Sequence, residues 1–204
     1  MIISYAHNFI YFRPKKTGSS TIVDVLRPSL GENDISRVRS RGDSEGLNRL
    51  HMKAEDVKNL VPPEFWRRSY KFASERHPYE KAVSLAFFRL AKQQQRRSKN
   101  DEAPMEDFLA LLGRVVDGGE YRGFKYYTIG GTPVVDEFIR HESLERDLRH
   151  VAARLGLAVP DELPRSKGSF RLDPRPAREI LSEEQRNTIF QKCLREFELL
   201  GYEP

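Results

Sequence analysis

The segment Asn8-Phe9-Ile10-Tyr11-Phe12-Arg13-Pro14-Lys15-Lys16-Thr17-Gly18-Ser19-Ser20-Thr21-Ile22-Val23-Asp24-Val25-Leu26 decides how the rest of the chain reads. An aromatic and β-branched run stops at a proline, crosses two lysines, a glycine and four hydroxyl residues, and resumes with apolar residues at helical spacing. That order predicts a strand, a tight loop and a helix, the local architecture of an oxyanion cradle. In such a cradle, backbone N–H groups and the first turn of the helix face the anion, hydroxyls add donors and a lysine adds a full charge. A basic, serine-rich turn that only caps a helix has the same composition, so the loop by itself leaves both readings open. The Gly-Lys-Ser/Thr ending of nucleoside triphosphatase loops is absent, because Lys15 and Lys16 precede Gly18, and this argues against ordinary ATP or GTP use.

A chain of 204 residues has room for one large domain with a real core, and a single domain over residues 1–204 is expected. No apolar run approaches the roughly 20 residues a membrane helix needs, so no transmembrane segment is expected, and no secretory leader is read at the start. Cys193 is the sole cysteine, which rules out an internal disulfide and a cysteine-only metal site and makes a reducing cytoplasm the expected compartment. A net charge of +5 favours anionic partners. Nucleic acid is the first such partner to weigh, and Lys92 to Lys99 is the most basic stretch. No stacking aromatics are interleaved there, so it reads as a solvated helix end and no nucleic-acid partner is expected.

Residues 27–48 read as a long polar loop and residues 51–60 as a short helix ended by Pro62 and Pro63. Tyr70 to Ser74 is a second strand, and Pro78 opens a helix whose apolar residues from Ala82 to Leu90 bury a broad face. Further helices are predicted over 105–116 and 143–155, with a strand over 134–139 before the latter. A last helix runs from Ser182 to a stop at Gly201. Strands alternating with helices predict an α/β fold with a central parallel sheet flanked by helices and ligands at the carboxyl ends of the strands.

A second constellation follows the second strand. Arg76 at the strand end and Ser84 eight positions later, on the first turns of a helix, can reach one phosphate together, and guanidinium geometry suits bidentate contact. A structural salt bridge is the plainer role for such an arginine. Taken together, the two constellations resemble the nucleotide motifs of sulfotransferases that use 3′-phosphoadenosine 5′-phosphosulfate (PAPS). Lys15 to Ile22 resembles their 5′-phosphosulfate loop, commonly Pro-Lys-Thr-Gly-Gly-Thr-Ser, and Ser74-Glu75-Arg76-His77-Pro78-Tyr79-Glu80-Lys81-Ala82-Val83-Ser84 resembles their 3′-phosphate motif. Arg140-His141-Glu142-Ser143-Leu144 is similar to the family's Arg-x-Glu-x-Leu segment, Phe197 to Tyr202 to its Phe-x-x-x-Gly-Tyr ending, and Leu163 to Arg171 to its basic nucleotide loop. Residues 27–48 and 92–131 match poorly, Lys15 stands where the family has proline, and His77 replaces its aspartate or asparagine.

The resemblance implies a P-loop-like nucleotide-binding architecture and transfer of a sulfuryl group from PAPS, without a metal, to an acceptor hydroxyl. The likeness is to the carbohydrate-type and bacterial branch, so the implied acceptor is a glycan, a glycolipid or another small hydroxylated molecule. Lys16, by alignment on Thr17-Gly18, is then the lysine on the leaving oxygen, with Lys15 as its alternative. Lys15, Thr17, Gly18, Ser19, Ser20 and Thr21 would hold the 5′-phosphate, and Arg76, Ser84, Lys167, Gly168 and Ser169 the 3′-phosphate. His51, in a segment similar to the family's His-x-x-Ala-Glu, is the expected general base, with Glu55 or His141 as replacements. Tyr121, Phe124, Tyr126 and Tyr127 offer faces for stacking against an acceptor, although such aromatics more often pack a loop onto its core. Two other classes remain: a phosphotransferase with a variant loop, which needs Mg²⁺ near a carboxylate such as Asp136, and a basic polyanion-binding protein, which needs only the charge.

Overall fold

The computed structural model describes residues 1–36, 51–96, 105–164 and 170–204. In chain order the elements are β1 (Ile2–Ser4), β2 (Phe9–Phe12), α1 (Ser19–Leu26), β3 (Ile35–Ser36), α2 (Ala54–Leu60), α3 (Pro63–Arg68), β4 (Tyr70–Glu75), α4 (Pro78–Arg96), α5 (Met105–Gly118), β5 (Thr128–Ile129), β6 (Thr132–Pro133), β7 (Glu137–Arg140), α6 (Leu144–Arg154), α7 (Ala177–Ile180), α8 (Glu183–Lys192) and α9 (Leu194–Leu200). The chain divides into two compact units, Met1–Glu75 with Gly123–Ser166, and Arg76–Arg122 with Lys167–Pro204. None of the described helices is long and apolar enough to cross a membrane.

The first unit carries a five-stranded sheet in the order β3-β1-β2-β4-β7. β2, β4 and β7 run parallel, in register from Tyr11 to Phe72 and from Phe72 to Glu137. The sheet is mixed, which corrects the expectation of a parallel one, because β1 pairs antiparallel with both β2 and β3. The reason is the short connection over residues 5–8. A tight turn can only return a strand antiparallel to its neighbour, whereas parallel pairing needs a long crossover. Asn8 takes the left-handed backbone the turn requires, at φ 55°.

Both faces of the sheet are buried, so side chains of successive residues enter opposite cores. Phe9, Tyr11, Phe72 and Ile139 face Ile22, Val23 and Leu26 of α1 and Leu148 and Val151 of α6. Ile10, Phe12 and Ala73 face Ala54 and Val57 of α2 and Phe65 of α3. Each fully buried side chain of this size contributes about 1.5–3 kcal/mol relative to exposure, which explains why β2 is apolar at every position. As the sequence predicts, α2 ends at Leu60, ahead of Pro62 and Pro63, and Pro63 has a second part. It occupies the first helical position of α3, where its missing N–H has no partner to lose.

The second unit is helical, built on α4 and α5 with α7, α8 and α9 around them. Phe87 and Phe108 stack with ring centroids 4.2 Å apart. The helix start at Ser182 and the stop at Gly201 are as the sequence predicts: Ser182 and Gln185 form a reciprocal capping box at the start of α8, and Gly201 ends α9 in a left-handed conformation. The predicted single helix between them breaks at Cys193, whose backbone leaves helical values at φ −120° and whose N–H is shared between Ile189 and Phe190. No glycine or proline marks that break.

Candidate functional site

Pro14 stops β2, and the chain turns through residues 14–18 at the carboxyl end of that strand before entering α1. Two constraints, on either side of Thr17, shape the turn. Lys16 has a left-handed backbone at φ 64°, and Gly18, the residue preceding α1, has φ 74°. For a lysine this conformation costs roughly 1–2 kcal/mol. Gly18 is required for a second reason: a Cβ there would lie 2.7 Å from Leu144 Cδ1 and 3.0 Å from His141 Cδ2. The Arg140-His141-Glu142-Ser143-Leu144 segment, far away in sequence, is therefore seated directly on the loop. No side chain caps the first turn of α1; the Thr21 N–H donates to the Gly18 carbonyl at 3.1 Å, and the Ser19 and Ser20 N–H groups precede the helical ladder.

The loop hydroxyls divide into two kinds. Thr17 is fully buried, its Oγ1 donating to the Pro14 carbonyl (3.1 Å) and paired with Ser74 Oγ (2.6 Å). Thr21 donates to the Pro164 carbonyl at 3.1 Å. These two hydroxyls hold the loop, so any contact of Thr17 with an anion falls to its backbone. Ser19 is almost covered and Ser20 half-buried at the opening of α1.

His51 is fixed to the backbone between β2 and that turn. Its Nδ1 lies 2.7 Å from the Arg13 carbonyl. A carbonyl only accepts, so Nδ1 carries the hydrogen and the neutral ring has its lone pair on Nε2. Burial lowers the imidazole pKa to about 4; the Arg13 carbonyl opposes the shift, and the charges of Arg13 and Lys15 add to it. Arg13 is itself buried, its pKa lowered chiefly by desolvation. Glu55 is exposed on the first turn of α2.

In the second unit the Arg76 guanidinium bonds Glu80 Oε2 at 2.9 Å. Glu80 also accepts from the Arg171 guanidinium and from the Ala177 N–H at 2.8 Å, joining the start of α4 to residues 171–177. Burial by itself would raise the Glu80 pKa, but the Ala177 N–H, Arg171 and Arg76 outweigh it and hold the carboxyl below its ordinary value. Ser84 is one turn beyond Glu80 on the same face of α4. His77 takes a packing role: its ring touches Tyr79, Phe197 and Tyr202, it accepts from the Tyr79 N–H, and Nε2 donates to the Glu203 carbonyl. The Phe197-to-Tyr202 ending thus packs on His77.

Glu80→Gln keeps the side-chain shape and removes the charge from these contacts. It is expected to cost about 1–3 kcal/mol near neutral pH. Because the folded carboxyl is depressed, that difference is present above the unfolded carboxylate range and vanishes as pH falls through the folded pKa. Urea midpoints of both proteins at about pH 7 and about pH 3 check this, and equal midpoints at neutral pH would remove Glu80 from any role in holding Arg76.

Lys167, Gly168 and Ser169 lie outside the described residues, as do residues 37–48 of the polar loop. The aromatic residues weighed as an acceptor platform are core instead. Tyr121 is fully buried in the second unit and donates to the Val116 carbonyl, while Tyr126 and Tyr127 are buried in the first with Phe124 packed against them. Asp136 extends the β4–β7 ladder, its Oδ2 accepting the Lys71 N–H and its own N–H donating to the Lys71 carbonyl, both at 2.7 Å. A shallow depression lined by Glu183, Glu184, Asn187, Thr188, Gln191 and Lys192 lies along α8 and shares no residue with the loop or with the start of α4.

Sequence reasoning overlooked Ser74, Tyr11 and Glu80 as supports. The available signal for Ser74 was a hydroxyl in an otherwise apolar stretch of strand, and for Glu80 a carboxylate one turn from Arg76. Comparison of the chain with protein-family models, with curated proteins and with solved structures gives no match.

Proposed function

We propose that this protein is a PAPS-dependent sulfotransferase with a P-loop-like nucleotide site, transferring a sulfuryl group to an acceptor hydroxyl on a glycan, a glycolipid or another small hydroxylated molecule. The observation that supports it best is the turn after β2, where Lys16 and Gly18 are left-handed, His141 and Leu144 close on Gly18, and a neutral, oriented His51 bonds the Arg13 carbonyl just before the turn. Bound PAPS supplies a sulfuryl group on a phosphate leaving group. The uncapped start of α1, with Ser19, Ser20 and the Thr17–Thr21 backbone, receives the 5′-phosphate. Lys16 stabilises the negative charge that grows on the bridging phosphate oxygen as its bond to sulfur breaks, an interaction stronger in the transition state than in the ground state. His51 Nε2 accepts the proton of the acceptor hydroxyl as the new S–O bond forms. Arg76 and Ser84, with Lys167, Gly168 and Ser169, are assigned to the 3′-phosphate. In the phosphotransferase reading Asp136 would carry Mg²⁺, but it stands before β7 beside Lys71, at the amino ends of the parallel strands, whereas the turn leaves the carboxyl end of β2, which favours sulfuryl transfer.

The test is nucleotide preference. 3′,5′-Adenosine bisphosphate, the product of PAPS, is expected to bind much more tightly than ADP or ATP with Mg²⁺. At a hundredfold excess over its dissociation constant, ligand linkage gives about 2.7 kcal/mol. For a chain of this length that corresponds to a rise in Tm of roughly 5–10 °C. Arg76→Ala should cut the preference for the 3′-phosphate by about 1.5–3 kcal/mol, the usual worth of a charge-assisted contact. Equal shifts from ATP with Mg²⁺ would turn the assignment toward phosphoryl transfer.

A further inference from the structure

We propose that Ser74 is a positioning residue for the anion loop, acting through a buried chain of hydroxyls that runs from Tyr11 through Ser74 and Thr17 to the Pro14 carbonyl. Tyr11 Oη lies 2.7 Å from Ser74 Oγ, Ser74 Oγ lies 2.6 Å from Thr17 Oγ1, and Thr17 Oγ1 lies 3.1 Å from the Pro14 oxygen. All three side chains are fully buried.

The far end sets the direction of every bond. The Pro14 carbonyl can only accept, so Thr17 donates to it; Thr17 then accepts from Ser74, and Ser74 accepts from Tyr11. Each hydroxyl donates once and accepts from its neighbour, with Tyr11 as the terminal donor. The near end is anchored in the sheet. Ser74 follows Phe72 on the same face of β4, Phe72 is in register with Tyr11 on β2, and their rings stack at 5.1 Å. Two parallel strands thus hold two points of the loop, Pro14 and Thr17, which flank Lys15 and the left-handed Lys16.

A lysine in the left-handed region persists only where its surroundings over-determine it. The chain of hydroxyls is that constraint: it ties the backbone on both sides of Lys16, at Pro14 and Thr17, while His141 and Leu144 close on Gly18. Without the Ser74 hydroxyl, Tyr11 keeps a buried O–H with no acceptor and Thr17 loses its donor. Turning Thr17 to find another partner moves the loop. The link to turnover rests on the sulfotransferase reading through Lys16; the link to loop geometry does not.

The experiment separates the two. Amide hydrogen exchange of a peptide covering residues 13–21 is followed by mass spectrometry in the wild type, Ser74→Ala, Ser74→Cys and Tyr11→Phe. Ile10→Val, on the opposite face of β2, serves as a control for general loss of stability. Ser74→Ala is expected to speed exchange in the loop about 3–10-fold, the effect of one lost buried hydrogen bond, with Ser74→Cys between it and the wild type. Tyr11→Phe, which leaves the Ser74–Thr17–Pro14 links intact, has the smaller effect and serves if Ser74→Ala does not fold. Affinity for 3′,5′-adenosine bisphosphate weakens in the same order, and Ile10→Val changes neither reading. Loop exchange in both Ser74→Ala and Tyr11→Phe no faster than in Ile10→Val overturns the proposal. Faster loop exchange in a protein whose wild type binds no bisphosphate retains the positioning role and removes the PAPS assignment.

Discussion

His51→Ala is expected to lower sulfuryl transfer about 10²–10⁴-fold while leaving bisphosphate binding close to normal, the signature of a lost general base. The physical basis is a ring whose tautomer is set by the Arg13 carbonyl and whose proton-accepting nitrogen is the opposite one. With its pKa lowered to about 4, chiefly by burial, the free imidazole is neutral throughout the physiological range and ready to accept a proton. A weak base is favoured less by Brønsted behaviour, but an anionic sulfuryl group arriving beside the ring raises its basicity when it is needed. The same shift predicts a stability effect. Between about pH 6.5 and about pH 4 the unfolded histidine binds a proton that the folded one refuses, so stability falls as the solution is acidified through this window. The loss from this group is on the order of 2–3 kcal/mol. Denaturant titrations of the wild type and His51→Gln across that window read it as a steeper slope in the wild type. Near-normal turnover of His51→Ala would pass the role to His141, which lies against Gly18, or to Glu55.

Removal of the Lys16 charge gives the second large effect, a drop of about 10²–10³-fold in kcat, the range for a lost donor to a developing oxyanion. Affinity for the bisphosphate product falls much less, because the charge matters most as the leaving oxygen develops. Lys16→Gly is the cleaner variant, since glycine takes φ 64° without strain and separates loss of charge from loss of loop geometry. Lys16→Ala keeps a Cβ in the left-handed region and adds a conformational penalty. If Lys15→Ala abolishes transfer while Lys16→Gly preserves it, the lysine on the leaving oxygen is Lys15, and the left-handed residue serves only to shape the turn.

The sequence by itself determined the local order of this protein. The apolar run of β2, the proline and glycine of the turn and the spacing of α1 are short-range signals, and the structure has strand, turn and helix in that order. Pro78 at the start of α4, the helix start at Ser182 and the stop at Gly201 were legible for the same reason: each acts on backbone groups within a few residues of itself. Tertiary structure decided what no local signal carries. The antiparallel β1 depended on which edge a short hairpin could reach, and the break at Cys193 depended on how two helical pieces pack. Hydroxyl roles were decided the same way. Thr17 and Ser19 look equivalent in sequence, yet parallel pairing of β2 with β4 brings Ser74 beneath Thr17 and turns its hydroxyl into the core. His51 resembles any histidine before a helix until the fold places its Nδ1 against the Arg13 carbonyl. Burial and hydrogen-bond partners come from residues distant in the chain, and these set whether a polar side chain faces a ligand or supports the loop that does.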